Sequence, residues 1–179
     1  MRVKKKTEFF KLCRILTSLS IPLETNQPAT DLIRPVITDA DADALLRMME
    51  TFCRHFDYPF DPLLRQNLIH AVLKNPVLGS LWLVDHDNQS VGYVVLTYGF
   101  AFEFKGKTAL VDELFIEEAH RGSGRGRRVL LSIQQLADQL GVSTILLQTE
   151  KYNTRAKQLY ESLGFVDQDR STLMWVKPI

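Results

Sequence analysis

The sequence predicts one mixed α/β domain, antiparallel strands first and strands alternating with helices after, and three observations carry this. The chain has 179 residues, enough for a single domain of ordinary size with its own core. Two apolar runs, Leu81-Trp82-Leu83-Val84 and Val91 to Tyr98, flank the turn-forming Asp85-His86-Asp87-Asn88, which is the pattern of an antiparallel hairpin. Downstream, strand-like apolar runs alternate with segments of helical period, so the sheet acquires parallel character as well. Hydrophobic residues at 45% and charged residues at 24% match an ordinary globular chain and exclude disorder or a fibre.

The elements follow in order. Met1 to Thr30 reads as a basic amphipathic extension and linker, with the domain proper over residues 31–179. Lys4, Lys5 and Lys6 precede an apolar-rich stretch, but Lys11 and Arg14 interrupt it and no small-residue cleavage pattern follows, so it is not a secretory leader. Phe9, Leu12, Leu16 and Leu19 sit near helical spacing, which predicts a short helix packed on the domain or a partner. The polar, proline-flanked Pro22–Thr30 reads as a linker. Leu32–Ile37 is a short strand with Pro35 marking an edge. Thr38 to Asp41 then offers N-caps for a helix running to about Phe56, and Asp61-Pro62 opens a second helix through Leu64, Leu68, Ile69 and Val72. After the hairpin, the turn at Lys105-Gly106-Lys107 leads to the strand Ala109–Ile116, unusual in carrying the adjacent carboxylates Asp112 and Glu113. A glycine-rich loop opens a helix with Val129, Ile133, Leu136 and Leu140 on one face, closed by Gly141. A strand Ser143–Gln148, a helix Asn153–Leu163 and two last strands, around Phe165-Val166 and Leu173–Val176, complete the chain.

Several function classes are excluded. A net charge of +1 leaves no broad electrostatic footprint for nucleic acid. No run reaches the roughly 18 apolar residues of a membrane span. Cys13 and Cys53 lack zinc-site spacing and are too few for a secreted scaffold, so both read as reduced thiols of a cytoplasmic protein. His55, His70, His86 and His120 show no ligand spacing, and no metal is expected.

The run Arg121-Gly122-Ser123-Gly124-Arg125-Gly126 is the most informative segment. Glycines let backbone N–H groups approach an anion closely, the helix that follows adds its positive end, and Arg121, Arg125, Arg127 and Arg128 add charge. Strand, loop and helix together make a pyrophosphate site; the bland alternative is a glycine turn with solvated arginines. The spacing is neither that of a P-loop nor the G-x-G-x-x-G of a dinucleotide fold. It resembles the Arg/Gln-x-x-Gly-x-Gly/Ala signature of the GNAT superfamily of N-acetyltransferases, matched by Arg121, Gly124 and Gly126. Asp112-Glu113-Leu114-Phe115-Ile116 is similar to that family's fourth strand, and Asn153-Thr154-Arg155-Ala156 with Leu159-Tyr160 and Gly164-Phe165 to its downstream element. The resemblance covers about residues 109–165; Met1–Thr30 lies outside it.

The resemblance implies the acyl-CoA N-acyltransferase fold, a mixed and mostly antiparallel sheet flanked by helices. It implies acetyl-coenzyme A as co-substrate, a primary amine on a small molecule or peptide as acceptor, and a homodimer. Leu114, Phe115 and Ile116 would offer backbone groups to the pantetheine arm where the fourth strand parts from the fifth. Gly122 to Arg127 would hold the pyrophosphate, and Asn153, Thr154, Arg155 and Ala156 would border the coenzyme. An alkylamine with a pKa near ~10.4 must lose a proton before it attacks, and Asp112 and Glu113 are the candidate bases. Strand neighbours point to opposite faces, so one of the two faces the cleft, and a bulge would reverse which. The family match favours Asp112; ion pairing at the surface is the alternative role for both. Tyr160 matches the tyrosine that protonates the leaving thiolate, although by periodicity Ala156, Leu159, Tyr160 and Leu163 also form a packing stripe. The acidic pair resembles members acting on polyamines or diamines. The rival reading is a coenzyme A-binding regulatory module without catalysis. Phe56-Asp57-Tyr58-Pro59-Phe60, between the first two helices, reads as core or as acceptor lining.

Overall fold

A computed structural model describes residues 21–22 and 31–177. The chain divides into two compact units at Gln148/Thr149. The first carries a six-stranded sheet in sequential order: β1 (Ile21–Pro22), β2 (Asp31–Pro35), β3 (Gly79–His86), β4 (Gln89–Ala101), β5 (Gly106–Ile116) and β6 (Thr144–Leu147). Every neighbouring pair is antiparallel except β5 and β6, which are parallel. The mixed α/β expectation therefore holds. β1 falls at the start of what the sequence reads as linker, because two residues suffice to pair with Leu32 and Ile33. That pairing stops short of Pro35, so the residue without an amide proton has a ladder neighbour only on the β3 side.

Local chemistry accounts for the boundaries. Helix α1 (Asp39–His55) starts in a capping box in which Thr38 Oγ1 accepts from Asp41 N at 3.1 Å and Asp41 Oδ2 accepts from Thr38 N at 3.0 Å. Helix α2 (Pro62–Lys74) is capped by Asp61, whose Oδ1 accepts from Leu64 N at 3.0 Å, with proline in the first turn as predicted. Between β3 and β4 the turn residues Asp87 and Asn88 both have positive φ, 48° and 63°, the two-residue hairpin geometry that Asp and Asn tolerate best. Helix α3 (Arg125–Gln139) follows the glycine-rich loop.

Alternation along the strands divides the core between the two faces of the sheet. Leu81, Leu83, Tyr93, Val95 and Phe115 pack with Ala42, Leu45, Met48 and Met49 of α1 and Ile69 of α2. On the other face Ala109 meets Ala137 of α3 and Val142, joined by Tyr98 and Ile145. The α3 residues Val129, Leu130, Ile133 and Leu136 are buried, as their helical spacing requires.

The second unit holds α4 (Thr154–Ser162), capped by Asn153 through Oδ1 to Ala156 N at 3.2 Å. Tyr160 meets Phe165 edge to face, with ring centroids 6.0 Å apart. The two last strands expected around Phe165-Val166 and Leu173–Val176 are not formed among the described residues, and Leu173 and Trp175 are 94% and 80% exposed. An apolar run becomes a strand only against a partner ladder, and among its described residues this unit contains no strand.

Candidate active site

The site is built on β5. Across β4, Val95 faces Glu113 whereas Leu96 faces Val111, so Asp112 is an extra residue in the strand, a β-bulge. The bulge reverses the alternation. Ala109 packs on the α3 side, while Glu113 and Phe115 point to the α1/α2 side with Tyr93. The parallel ladder to β6 runs from Thr108↔Thr144 to Val111↔Leu147 and ends at the residue before the bulge. From Asp112 to Ile116 the edge of β5 turned away from β4 faces no strand among the described residues. Sheet backbone left open in this way is a template for an extended ligand with its own amides.

The two carboxylates differ sharply. Glu113 accepts from Arg65 Nη1 at 2.5 Å through Oε1 and from the Tyr93 hydroxyl at 2.8 Å through Oε2, and its side chain is only 10% exposed. Arg65 also reaches Cys53 Sγ at 3.5 Å. Burial, then the charge of Glu113, pushes the Tyr93 hydroxyl far above its ordinary range, so it stays a donor. Asp112 lies at the surface with no comparable partner. Crowding still desolvates its carboxyl, which together with the Glu113 charge raises its pKa above the usual carboxylate value, while Arg65 pulls the other way.

Next to the open edge, a short 3-10 turn (Glu118–His120) carries the chain into the loop. Gly122 and Gly124 have φ of +85° and +77°, which glycine adopts without cost, and a Cβ at Gly122 would have nothing within 4 Å, so its face of the loop is open. Gly124 is the N-cap of α3, whose first-turn amides have no carbonyl earlier in the helix to bind. Glycine loop and helix start thus lie together where β5 ends, an arrangement whose open face and helix-start amides could receive an anion. The arginines do something other than simply adding charge. Arg121 Nε donates to Ile116 O at 2.7 Å with its guanidinium 5.5 Å from the Phe115 ring centre, Arg125 donates to His120 O, and Arg128 Nη1 donates to Ser123 O at 2.8 Å. Three side chains therefore brace the loop's own backbone, and Arg125, 5% exposed, lies within the core.

Of the remaining sequence candidates, Leu114 is half-buried opposite Val94, and Phe115 is buried against Tyr93 and Phe52, leaving its backbone rather than its ring for a ligand. The Ile116 carbonyl is engaged by Arg121. Ser123 and Arg127 are exposed. In the second unit Thr154 and Arg155 are exposed, Asn153 and Ala156 form the cap of α4, and burial raises the Tyr160 hydroxyl above its ordinary value. Phe56 and Tyr58 form an exposed stack, centroids 5.7 Å apart, backed by Phe52. Among the described residues no cluster of His, Cys, Asp and Glu could hold a metal ion, and no helix is long and apolar enough to cross a membrane. Arg65 and Tyr93 are not marked by the sequence; they lie 48 and 20 positions from Glu113, with no spacing to single them out.

Several known proteins are similar to this chain in sequence or in fold. A bovine thialysine N-epsilon-acetyltransferase is 27% identical over 77 residues, 43% of this chain and 45% of its own length. The chain spans about half the length of the curated relatives it matches. An integron cassette protein from a salt-marsh metagenome superposes with a TM-score of 0.72 at 29% identity, covering 82% of this chain and 91% of that one. A predicted acetyltransferase from Clostridium acetobutylicum, solved with acetyl-CoA, shares the fold with a TM-score of 0.67 at 16% identity over 80% of this chain and 95% of that one. The model of the acetyltransferase (GNAT) family matches residues 45–165, more than half of the sequence, and the chain belongs to that family.

Proposed function

We propose that this protein is an acetyl-coenzyme A-dependent N-acetyltransferase acting on a primary amine of a small molecule, diamine- or polyamine-like, or of a peptide. The observation that carries the reading is the end of the β5–β6 ladder just before a bulged carboxylate, next to a braced glycine loop at a helix start. Such an arrangement accepts an extended amide-bearing arm along the strand and a pyrophosphate at its end. The acetyl-CoA in the Clostridium acetobutylicum neighbour and the amine acceptor in the name of the bovine relative support the same assignment.

In this reading Asp112 takes a proton from the acceptor ammonium. The freed nitrogen bonds to the thioester carbonyl carbon, the carbon–sulfur bond breaks, the sulfur leaves with its electron pair and a proton from Tyr160, and the nitrogen, cationic after its attack, gives its second proton to water to leave a neutral amide. Water returns a proton to Tyr160 and removes one from Asp112, so the enzyme is unchanged and no acyl-enzyme forms. The raised pKa of Asp112 makes it a better proton acceptor than an ordinary carboxylate, and Tyr160, raised by burial, stays protonated and able to donate. Both oxygens of Glu113 are already engaged, which leaves it poorly suited to be the base.

The test is thiol release from acetyl-CoA against a panel of amines. Asp112→Asn and Tyr160→Phe should each lower kcat by about 10²-fold or more with the KM for acetyl-CoA nearly unchanged. Tight binding of acetyl-CoA with no thiol release on any amine would refute catalysis and favour a coenzyme-binding regulatory module.

A further inference from the structure

We propose that Arg65 and Glu113 are positioning residues that clamp the β5 bulge between α2 and β4 and so hold the Asp112 carboxyl clear of the β4 ladder; this rests on the acetyl-transfer reading above. A bulge is the weakest point of a ladder, because sliding the pairing by one residue costs few hydrogen bonds and sends every side chain beyond it to the other face. Here such a slip would set Asp112 opposite Val95 and exchange the two carboxylates.

The slip is opposed from three directions. Glu113 is bound by Arg65 of α2 at 2.5 Å and by Tyr93 of β4 at 2.8 Å, and Arg65 is held in turn by Cys53 of α1 at 3.5 Å. Asp112, one methylene shorter, could not span the same two donors. Phe115, two residues on, adds Tyr93 and Phe52 as ring partners at 5.8 and 6.1 Å, which the slip would also remove. A largely buried ion pair gains little net stability over an apolar one, and its best-attested use is to fix register. Glu113 and Arg65 are the charged groups beside Asp112, with Tyr93 and Cys53 as the neighbouring titratable ones. The clamp thus also places a negative charge next to the base and makes it more basic.

Carboxyl carbon NMR titration of the full chain tests this without an acceptor, using Glu113→Gln, which keeps length and one acceptor oxygen. In the wild type Asp112 should titrate above the ordinary carboxylate value; in Glu113→Gln its midpoint should fall, and amide exchange from Val111 to Leu114 should speed up. Arg65→Lys, which keeps charge but loses the fork, should speed the same exchange, and it serves as the second variant if Glu113→Gln does not fold. An unchanged Asp112 midpoint together with unchanged exchange would overturn the clamp. On an alkylamine, whose own ionisation near ~10.4 lies above the range, Glu113→Gln should lower kcat by about 10- to 100-fold. The acidic limb of its kcat/KM profile should move to lower pH, while acetyl-CoA affinity stays within about twofold. An unmoved limb would count against the proposal. Absence of turnover in the wild type would defeat the acetyl-transfer reading, whereas the NMR result decides the clamp independently.

Discussion

Asp41 ties the start of α1 to the sheet, and its replacement by asparagine gives a stability change whose size and pH dependence both follow from the geometry. Its carboxylate accepts from Arg34 Nη1 at 2.7 Å, Thr38 N at 3.0 Å and Ile37 N at 3.2 Å, and the residue is 8% exposed. Burial on its own would raise the pKa, but Arg34 and the Thr38 and Ile37 amides outweigh it and hold the group at about 2 instead of 3.8. That gap, at ~1.4 kcal/mol for each pH unit, is worth about 2 kcal/mol of stability. Because the folded pKa is depressed, the contribution is complete above the unfolded value near 4 and is lost as the pH falls through about 2. An asparagine at this position would still accept from the helix-start amides, and Arg34 keeps its bond to Asp85 at 2.5 Å, so the substitution removes the charge without orphaning the guanidinium. Urea unfolding at pH 7 should show Asp41→Asn less stable by about 2 kcal/mol, with the two proteins converging as the pH falls from about 4 to 2. A difference that stays constant down to pH 2 would refute the electrostatic account, and a loss well under about 1 kcal/mol at pH 7 would refute the ion pair's weight.

Two further outcomes concern the loop. Gly122→Ala places a Cβ in open space but on a backbone with φ of +85°, so it should cost about 1 kcal/mol in urea unfolding and weaken coenzyme A binding severalfold by calorimetry; unchanged affinity would remove Gly122 from the cradle. Arg125→Met deletes the donor to the His120 carbonyl from a buried side chain, with an expected loss of about 1 to 2 kcal/mol and weaker coenzyme A binding. If neither changes, the bracing role is wrong.

Much of the architecture is legible in the sequence because its determinants are local. The Asp87-Asn88 turn, the Thr38 and Asp61 caps and the buried stripe of α3 each depend on residues within a few positions of one another. The glycine loop is legible for the same reason, since positive φ at Gly122 and Gly124 is a property of single residues. The C-terminal strands mislead because Leu173–Val176 has strand composition, which marks a segment as able to pair, whereas its described residues pair with nothing. The loop arginines read as charge because composition counts a guanidinium and cannot tell whether it points at a ligand or at the carbonyl of Ile116, His120 or Ser123.

What the residues alone determined is therefore the order of most elements, the glycine-rich loop at a helix start and the presence of adjacent carboxylates on one strand. Tertiary structure decided which carboxylate is engaged and which stands apart. The bulge exists only as a mismatch between β4 and β5, and the partners that occupy Glu113 come from α2 and β4, 48 and 20 residues away. Contacts at such separations are set by how helices and strands pack together, and short-range spacing carries no record of them.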